Sequence, residues 1–551
     1  MEKIKEKKVE ISKKIFVHPE EAEKNFLKWF DSKKKLAFLV ALLIGLVTHI
    51  TFLTEIILSQ DGLWNSLAYS EPTGWEISLG RWGIWLVDKI VNYLAIPTIT
   101  GVVSIVVISI ATVFIVDILK LKNKITIFLA SAAMVVAPSL TSTMIYAYTS
   151  VAYCMAMLIS VLTVWLIFKN ANNILSRILN IFFALILFII SLGIYQSYIG
   201  VVIGLTAMRL IRDLFDNEIS IKWFFIHGFI MVFVVIIGGL IYSNVTEVIL
   251  EKMNVDMTNY KGMQSISLEN TVNNLSTSIP KIYNDFKEFY LGESIVYNEI
   301  YSRDSFYKLM FLAILILEFV SIFTNEIYKK PYKILLIVII NAILPIALNA
   351  VLLLTTETTT YVLTAAQLIL IIPFSAMICE IAGNKYTFLF KWGAIACMFL
   401  VVFTYYLANN VSYYCLKLTY NQAYTTAIRI ADRIEQTQGY TPDRLIMING
   451  IIETDMDYRY GRNTNLGDYT ICSLFRDCPV FHGTYTGMEG TWTKFFANYL
   501  GMRVQFCCTG DYENLLNTPE YQSMGVWPSP DSVQFISHVV VVKLREEATM
   551  P

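Results

Sequence analysis

Between residues 36 and 408 the chain returns eleven times to a long apolar run, and each run is near the length that crosses a bilayer. A helical span needs ~20 apolar residues to cross a hydrocarbon core of ~30 Å. The runs are 36–57, 97–119, 125–141, 147–168, 175–193, 196–214, 223–249, 306–328, 333–354, 360–382 and 390–408. Composition agrees: 55% of the 551 residues are hydrophobic and 16% are charged, against ~25% charged in a soluble domain. The pattern predicts a polytopic α-helical membrane protein with about eleven transmembrane helices.

Charge assigns the sides. Lys33, Lys34 and Lys35 stand directly before the first run, and lysine-rich flanks stay in the cytoplasm. Residues 1–35 therefore form a cytoplasmic basic N-terminus. No cleavable signal peptide is expected, because the first apolar run is full-length. With the N-terminus inside, the inner connections are 120–124, 169–177, 209–222, 328–333 and 383–391, and each carries Lys or Arg. The outer connections at 141–147 and 355–359 carry neither. Three larger pieces fall outside: the loops 58–96 and 250–305 of a 36–408 transmembrane domain, and the tail 409–551. The expected location is the cell membrane, multi-pass, with the C-terminal domain outside. The net charge of −1 gives no reason to expect a nucleic-acid partner.

Residues 81–95 place Trp82, Trp85, Leu86, Ile90 and Tyr93 at near-helical spacing, with Asp88, Lys89 and Asn92 as the polar residues. This suits a helix lying in the interface with its aromatics at headgroup level. The tail reads differently. Tyr424, Ile428, Ala431 and Ile434 mark a helix face. Leu445–Asn449 and 533–544 read as strands and 490–499 as a helix, making a small extracytoplasmic α/β domain. Cys472, Cys478, Cys507 and Cys508 all lie in that tail, where disulfides with three possible pairings are expected.

The chain has no nucleotide-binding or metalloprotease motif in a supporting context, so the outer acids carry the chemical argument. Asp61 stands at the outer end of the first span between aromatic-rich segments, where partial shielding tunes a carboxyl for base work. Capping a short helix is its alternative role. Glu55 lies near the end of the same span, where an ionisable group is costly and a functional candidate. Glu76 and Arg81 are five residues apart; they pair locally or, with Arg81 facing a ligand, its fork fits a phosphate. Tyr195 and Gln196, with Ser197, join two spans on the outer side and can hydrogen-bond sugar hydroxyls or cap their own turn. Tyr146 and Tyr148 read as interfacial anchors. In the loop 250–305, Lys287 and Arg303 are basic candidates for a lipid phosphate amid charges that otherwise read as a solvated face. Asp117, Glu318 and Glu380 lie towards the inner ends of their spans and are expected to snorkel. His49 and His227 read as packed polar residues. No metal ligands are expected; a divalent metal has no support in the pattern.

Asp61-Gly62-Leu63 after the first span, then Gly74-Trp75-Glu76 and Ser78-Leu79-Gly80-Arg81-Trp82, resembles the GtrII-type glucosyltransferases of bacterial membranes. Ile194-Tyr195-Gln196-Ser197-Tyr198, after Ser-Leu-Gly, fits the same family, and the resemblance covers roughly 36–410. It implies a GT-C architecture and a sugar, glucose, taken from a polyprenyl-phosphate donor at the outer leaflet and passed to a cell-surface glycan. It also implies that Asp61 is the base, with inversion at the anomeric carbon. The loop carries a single Asp where many such loops carry two acids, which leaves Glu55 and Glu76 as the nearby second carboxylates. A lipid-linked sugar flippase or a polysaccharide exporter is the alternative; it predicts charged residues lining a path deep in the bundle.

Overall fold

The fold is taken from a computed structural model, which describes residues 18–55, 62, 65, 69–70, 72, 74–171, 173–260, 262, 268–292, 303–355, 360–383, 387–450 and 489–544. Asp61 lies outside the described residues. So do Cys472 and Cys478.

The helices follow the apolar runs. After α1 (Pro19–Trp29) come α2 (Ser32–Thr48) and its short continuation α3 (Ile50–Thr54), then α4 (Gly74–Ser78) and α5 (Gly83–Ile90) in the first outer loop. The bundle proceeds with α6 (Pro97–Ile118), α7 (Lys124–Val136), α8 (Pro138–Met144), α9 (Ala147–Phe168), α10 (Ile174–Ile194), α11 (Ile199–Leu214) and α12 (Ile221–Met253). Then follow α13 (Leu275–Leu291), α14 (Arg303–Thr324), α15 (Pro331–Leu348), a 3₁₀ turn Val362–Leu370 leading into α16 (Ile371–Ile381), and α17 (Phe388–Gln436). Among the described residues nine helical segments are long and apolar enough to cross a membrane. The remaining two expected segments match α2, with 17 residues, and α11, with 16. Pro138 separates α7 from α8, because the residue before a proline is driven out of the helical region; Ala137 sits at ψ 128°.

The most central segment is 362–381, whose apolar window is buried throughout. In contrast, α12 shows most of its surface, with Phe229, Phe233, Ile236 and Leu240 exposed. An apolar helix face that packs on nothing is what lipid contact leaves behind.

Charges gather at one end of the bundle, where neighbours meet them. Asp117 takes an ion pair from Lys34 at 3.0 Å and a hydrogen bond from Trp165 Nε1 at 2.8 Å. Asp213 is fully enclosed between Lys120 at 2.9 Å and Arg209 at 2.6 Å. Glu380 caps α7, accepting from the backbone N–H of Lys122 and Asn123 and from Thr126 Oγ1. Glu318 is buried and accepts from Asn341 Nδ2 at 3.1 Å. Asp117 and Glu380 stay partly exposed and Asp213 and Glu318 are buried, and all four have partners from neighbouring segments. His49 is a packed polar residue: its ring nitrogens meet Tyr413 Oη at 2.8 Å and Val135 O at 2.9 Å. His227 stacks on Trp223 with centroids 3.7 Å apart.

At 408, where composition changes, the helix does not break; α17 runs on for 49 residues in all. Its outer part buries Tyr420, Ala423, Ala427, Ile430 and Ile434 against the tail. Ile428, expected on that face, is exposed, because the apolar stripe follows a 3.6-residue period through 427, 430 and 434 rather than through 428. The tail holds α18 (Glu489–Tyr499) and a four-stranded sheet in the order β2-β1-β4-β3, with β1 Leu445–Asn449, β2 Gln505–Phe506, β3 Val533–Ile536 and β4 Val539–Lys543. β1 is parallel to both β2 and β4, and β3 is antiparallel to β4. The single strand expected over 533–544 is a hairpin. Ser537 and His538 take φ of 47° and 73°, as a two-residue turn of this twist requires.

Candidate active site

Opposite the charged end, the described part of the loop 58–96 is folded into the bundle. Gly80, at φ 70°, ends the turn after α4. A Cβ there would stand 2.5 Å from Tyr242 Oη, so the position needs glycine on both counts. Tyr242 donates to Gly80 O at 3.1 Å. Gln196 Nε2 donates to Leu79 O at 2.9 Å and to Tyr242 Oη at 2.7 Å. Trp82 Nε1 donates to Thr246 Oγ1 at 3.0 Å, and Ser197 Oγ to Thr364 O at 2.8 Å. Residues more than 100 positions apart thus hold one short turn, and that turn aims Arg81.

The Arg81 guanidinium enters a pocket of tyrosines. Its Nη1 donates to Tyr153 Oη at 3.1 Å, and its centre lies 5.0 Å from the Tyr195 ring centroid. Tyr195 in turn stacks on Tyr153, centroids 4.5 Å apart. Tyr361 and Tyr260 also stand within reach of its charge. The Nε is buried and has no hydrogen-bond partner among the described residues. The local pair with Glu76 does not form: only the backbone N–H of Arg81 reaches Glu76, at its carbonyl, 2.9 Å away. A cation met by ring faces and hydroxyls, with no carboxylate on it among the described residues, keeps its capacity for an anion.

Helix α5 has Trp85, Leu86 and Ile90 exposed on one face. Its other face is turned inward rather than to water. A Cβ on Gly83 would fall 2.7 Å from the carbonyl carbon of Gly193, and this close approach brings α5 onto α10. Asp88 consequently points into the protein, 4% exposed. Neither a hydrogen bond nor an ion pair meets its carboxylate among the described residues. Burial, aided by the like charge of Glu76, pushes its carboxyl up to about 7.

The family model for glucosyl transferase GtrII matches residues 52–378. The chain belongs to this family. It is accordingly a glycosyltransferase and a multi-pass membrane protein, which implies a sugar donor and a glycan acceptor. No curated protein and no solved structure matches it. The GtrII match takes in the whole Arg81 cluster and ends before the tail.

The remaining candidates of this GtrII protein are placed as follows. Glu55 is half-exposed and pairs with Lys417 of α17, which ties the start of the loop 58–96 to that long helix. Glu76 is partly buried beside Asp88. Gln196 and Tyr195 are enclosed, the first holding the Gly80 turn and the second lying under Arg81. Lys287 is well exposed on α13, 4.0 Å from Glu288. Arg303 is fully buried, donating to Phe289 O at 2.7 Å and Gly292 O at 2.9 Å, where it closes the end of α13. Tyr146 and Tyr148 pack edge to face, centroids 6.4 Å apart, and Tyr146 is buried. Among the described residues no three His, Cys, Asp or Glu side chains are grouped to hold a metal ion. Sequence reasoning passed over Asp88, Tyr153, Tyr242 and Tyr361. For Asp88 a signal existed: an acid on a short helix otherwise made mostly of aromatic and aliphatic residues. For the tyrosines none did.

Proposed function

We propose that the chain transfers glucose from a polyprenyl-phosphate donor to a cell-surface glycan at the outer face of the cytoplasmic membrane. The observation that carries this reading is Arg81, a shielded guanidinium held among tyrosines with an unpartnered Nε. Such a group suits a phosphate, whose developing charge it would neutralise as the lipid leaves. The exposed apolar face of α12 supports a lipid-borne donor, since the outer half of that helix also carries Tyr242 and Thr246, which hold the Arg81 turn.

The reaction is a direct displacement. Asp61 takes the proton of an acceptor hydroxyl, and the hydroxyl oxygen bonds to the anomeric carbon from the face opposite the leaving group. The bond from that carbon to the phosphate oxygen breaks, its electron pair leaves with the polyprenyl phosphate, and the configuration inverts. The tail beyond α17 orients the acceptor polymer.

A flippase or exporter would line a path with charge deep in the bundle. Asp117, Asp213 and Glu380 are instead matched by neighbours at the end away from Arg81, which favours the enzyme. Purified protein given polyprenyl-phosphoglucose and acceptor glycan should form the glycoside, and Asp61→Asn should abolish transfer. Full transfer by Asp61→Asn removes the base assignment; lipid movement across vesicles without transfer removes the enzyme.

A further inference from the structure

The displacement above makes no use of Asp88. Its side chain lies on the inward face of α5, 4% exposed, with no protein donor or cation on the carboxylate among the described residues. A buried acceptor left unmade costs free energy, and a charged one costs more than a neutral one. A position like this is satisfied when something other than the protein supplies the donors. We propose that Asp88 is a sugar-binding carboxylate, its two oxygens accepting hydrogen bonds from two neighbouring hydroxyls of the hexose on the lipid donor.

Three observations support this, and all rest on the donor reading given above. The first is chemical: a hexose offers adjacent O–H donors, and a planar carboxylate offers two acceptor oxygens side by side. The second is position. Asp88 follows Arg81 by seven residues, mostly helical, which is ~10 Å along the axis. A phosphate at Arg81 and the sugar attached to it would thus be read by one short rigid element, the form in which a binding geometry is best held. The third is the neighbour. The charge of Glu76 acts on Asp88, so a second carboxylate lies within its electrostatic range. Hydroxyl donors would relieve the repulsion between the two acids and favour the ionised form of Asp88.

The test compares polyprenyl-phosphoglucose with donors lacking the 2-, 3-, 4- or 6-hydroxyl, using the purified full-length protein and acceptor glycan. For wild type, removal of one or two neighbouring hydroxyls should lower kcat/KM by about 10- to 100-fold, as the loss of a hydrogen bond to a charged group does. In Asp88→Asn and Asp88→Ser the same donors should lose most of that penalty, while the intact donor becomes the poorer substrate. The wild-type series stands alone if neither variant folds. A wild type that transfers but treats every deoxy donor alike overturns the proposal and leaves the donor reading standing. Penalties that persist unchanged in folded variants overturn it as well. A wild type with no transfer from polyprenyl-phosphoglucose removes the donor reading itself.

Discussion

Arg81 brings a charge that persists at any working pH into a pocket walled by Tyr153 and Tyr195. If that charge meets a leaving phosphate, Arg81→Ala should lower kcat/KM by ~100-fold or more on folded protein, the scale seen when one transition-state donor is removed. Arg81→Lys should recover part of this, since it restores the charge without the fork. Steady-state rates with polyprenyl-phosphoglucose measure both, and an unchanged Arg81→Ala enzyme ends the phosphate role. Asp88 yields a stability prediction of opposite sign to the usual one for an acid. Burial holds its folded pKa at about 7, above the ordinary 3.8. The contribution of its neutral form is fully present below the unfolded value and is lost as pH rises through the folded one. Ligand-free Asp88→Asn should therefore gain on wild type in thermal unfolding as pH rises from 5 to 8, because only wild type must then bury a charge. A variant that unfolds earlier than wild type at pH 8 would mean that the carboxylate is already satisfied. Neither residue's surroundings could be read from spacing. Arg81 and Tyr153 are 72 positions apart, and the bland local partner, Glu76, was the nearer choice in sequence.

The short helix α5 was legible as an element and misleading in its roll. Its aromatic and aliphatic residues mark a helix with one apolar face outward, and Trp85 and Ile90 are exposed. What spacing could not supply was the partner of the opposite face. Two glycines decide it, since Gly83 and Gly193 let backbones touch where any side chain would hold them apart. Gly83→Ala places a Cβ 2.7 Å from a backbone atom, which cannot yield as a flexible side chain can. The expected cost is about 1–3 kcal/mol of stability, with a fall in transfer as α5 and Asp88 are displaced. Thermal unfolding together with the transfer assay checks this, and unaltered values for both would show that the helix has room to move. The strand expected over 533–544 failed for a related reason. Ser537 and His538 carry no strong turn signal, and only pairing of β3 with β4 exposes the hairpin between them.

Across the whole molecule, the end bearing Asp117, Asp213 and Glu380 holds ion pairs that knit helices together, while the opposite end holds the Arg81 cluster. Asp213→Asn leaves Arg209 and Lys120 short of their shared carboxylate. Breaking a buried pair costs on the order of 3 kcal/mol, so the melting temperature should drop while KM for the donor stays unchanged; a shifted KM would link the two ends. The long helix α17 joins the bundle to the tail without a break. A chain ended after residue 408 loses Asn409 on Val136 O, Tyr413 on His49 and Lys417 on Glu55. It should give little monodisperse protein in detergent, whereas a chain ended after residue 418 should keep those contacts and more of the yield. Equal yields would place the stability of the bundle elsewhere. The apolar runs and the lysines between them carry the helical, multi-pass character of this GtrII protein, because length against bilayer thickness and charge against hydrocarbon are local properties of a chain. The partners of Arg81, the inward turn of Asp88 and the continuity of α17 past 408 came only with the packed bundle, because each depends on which distant surface a residue meets.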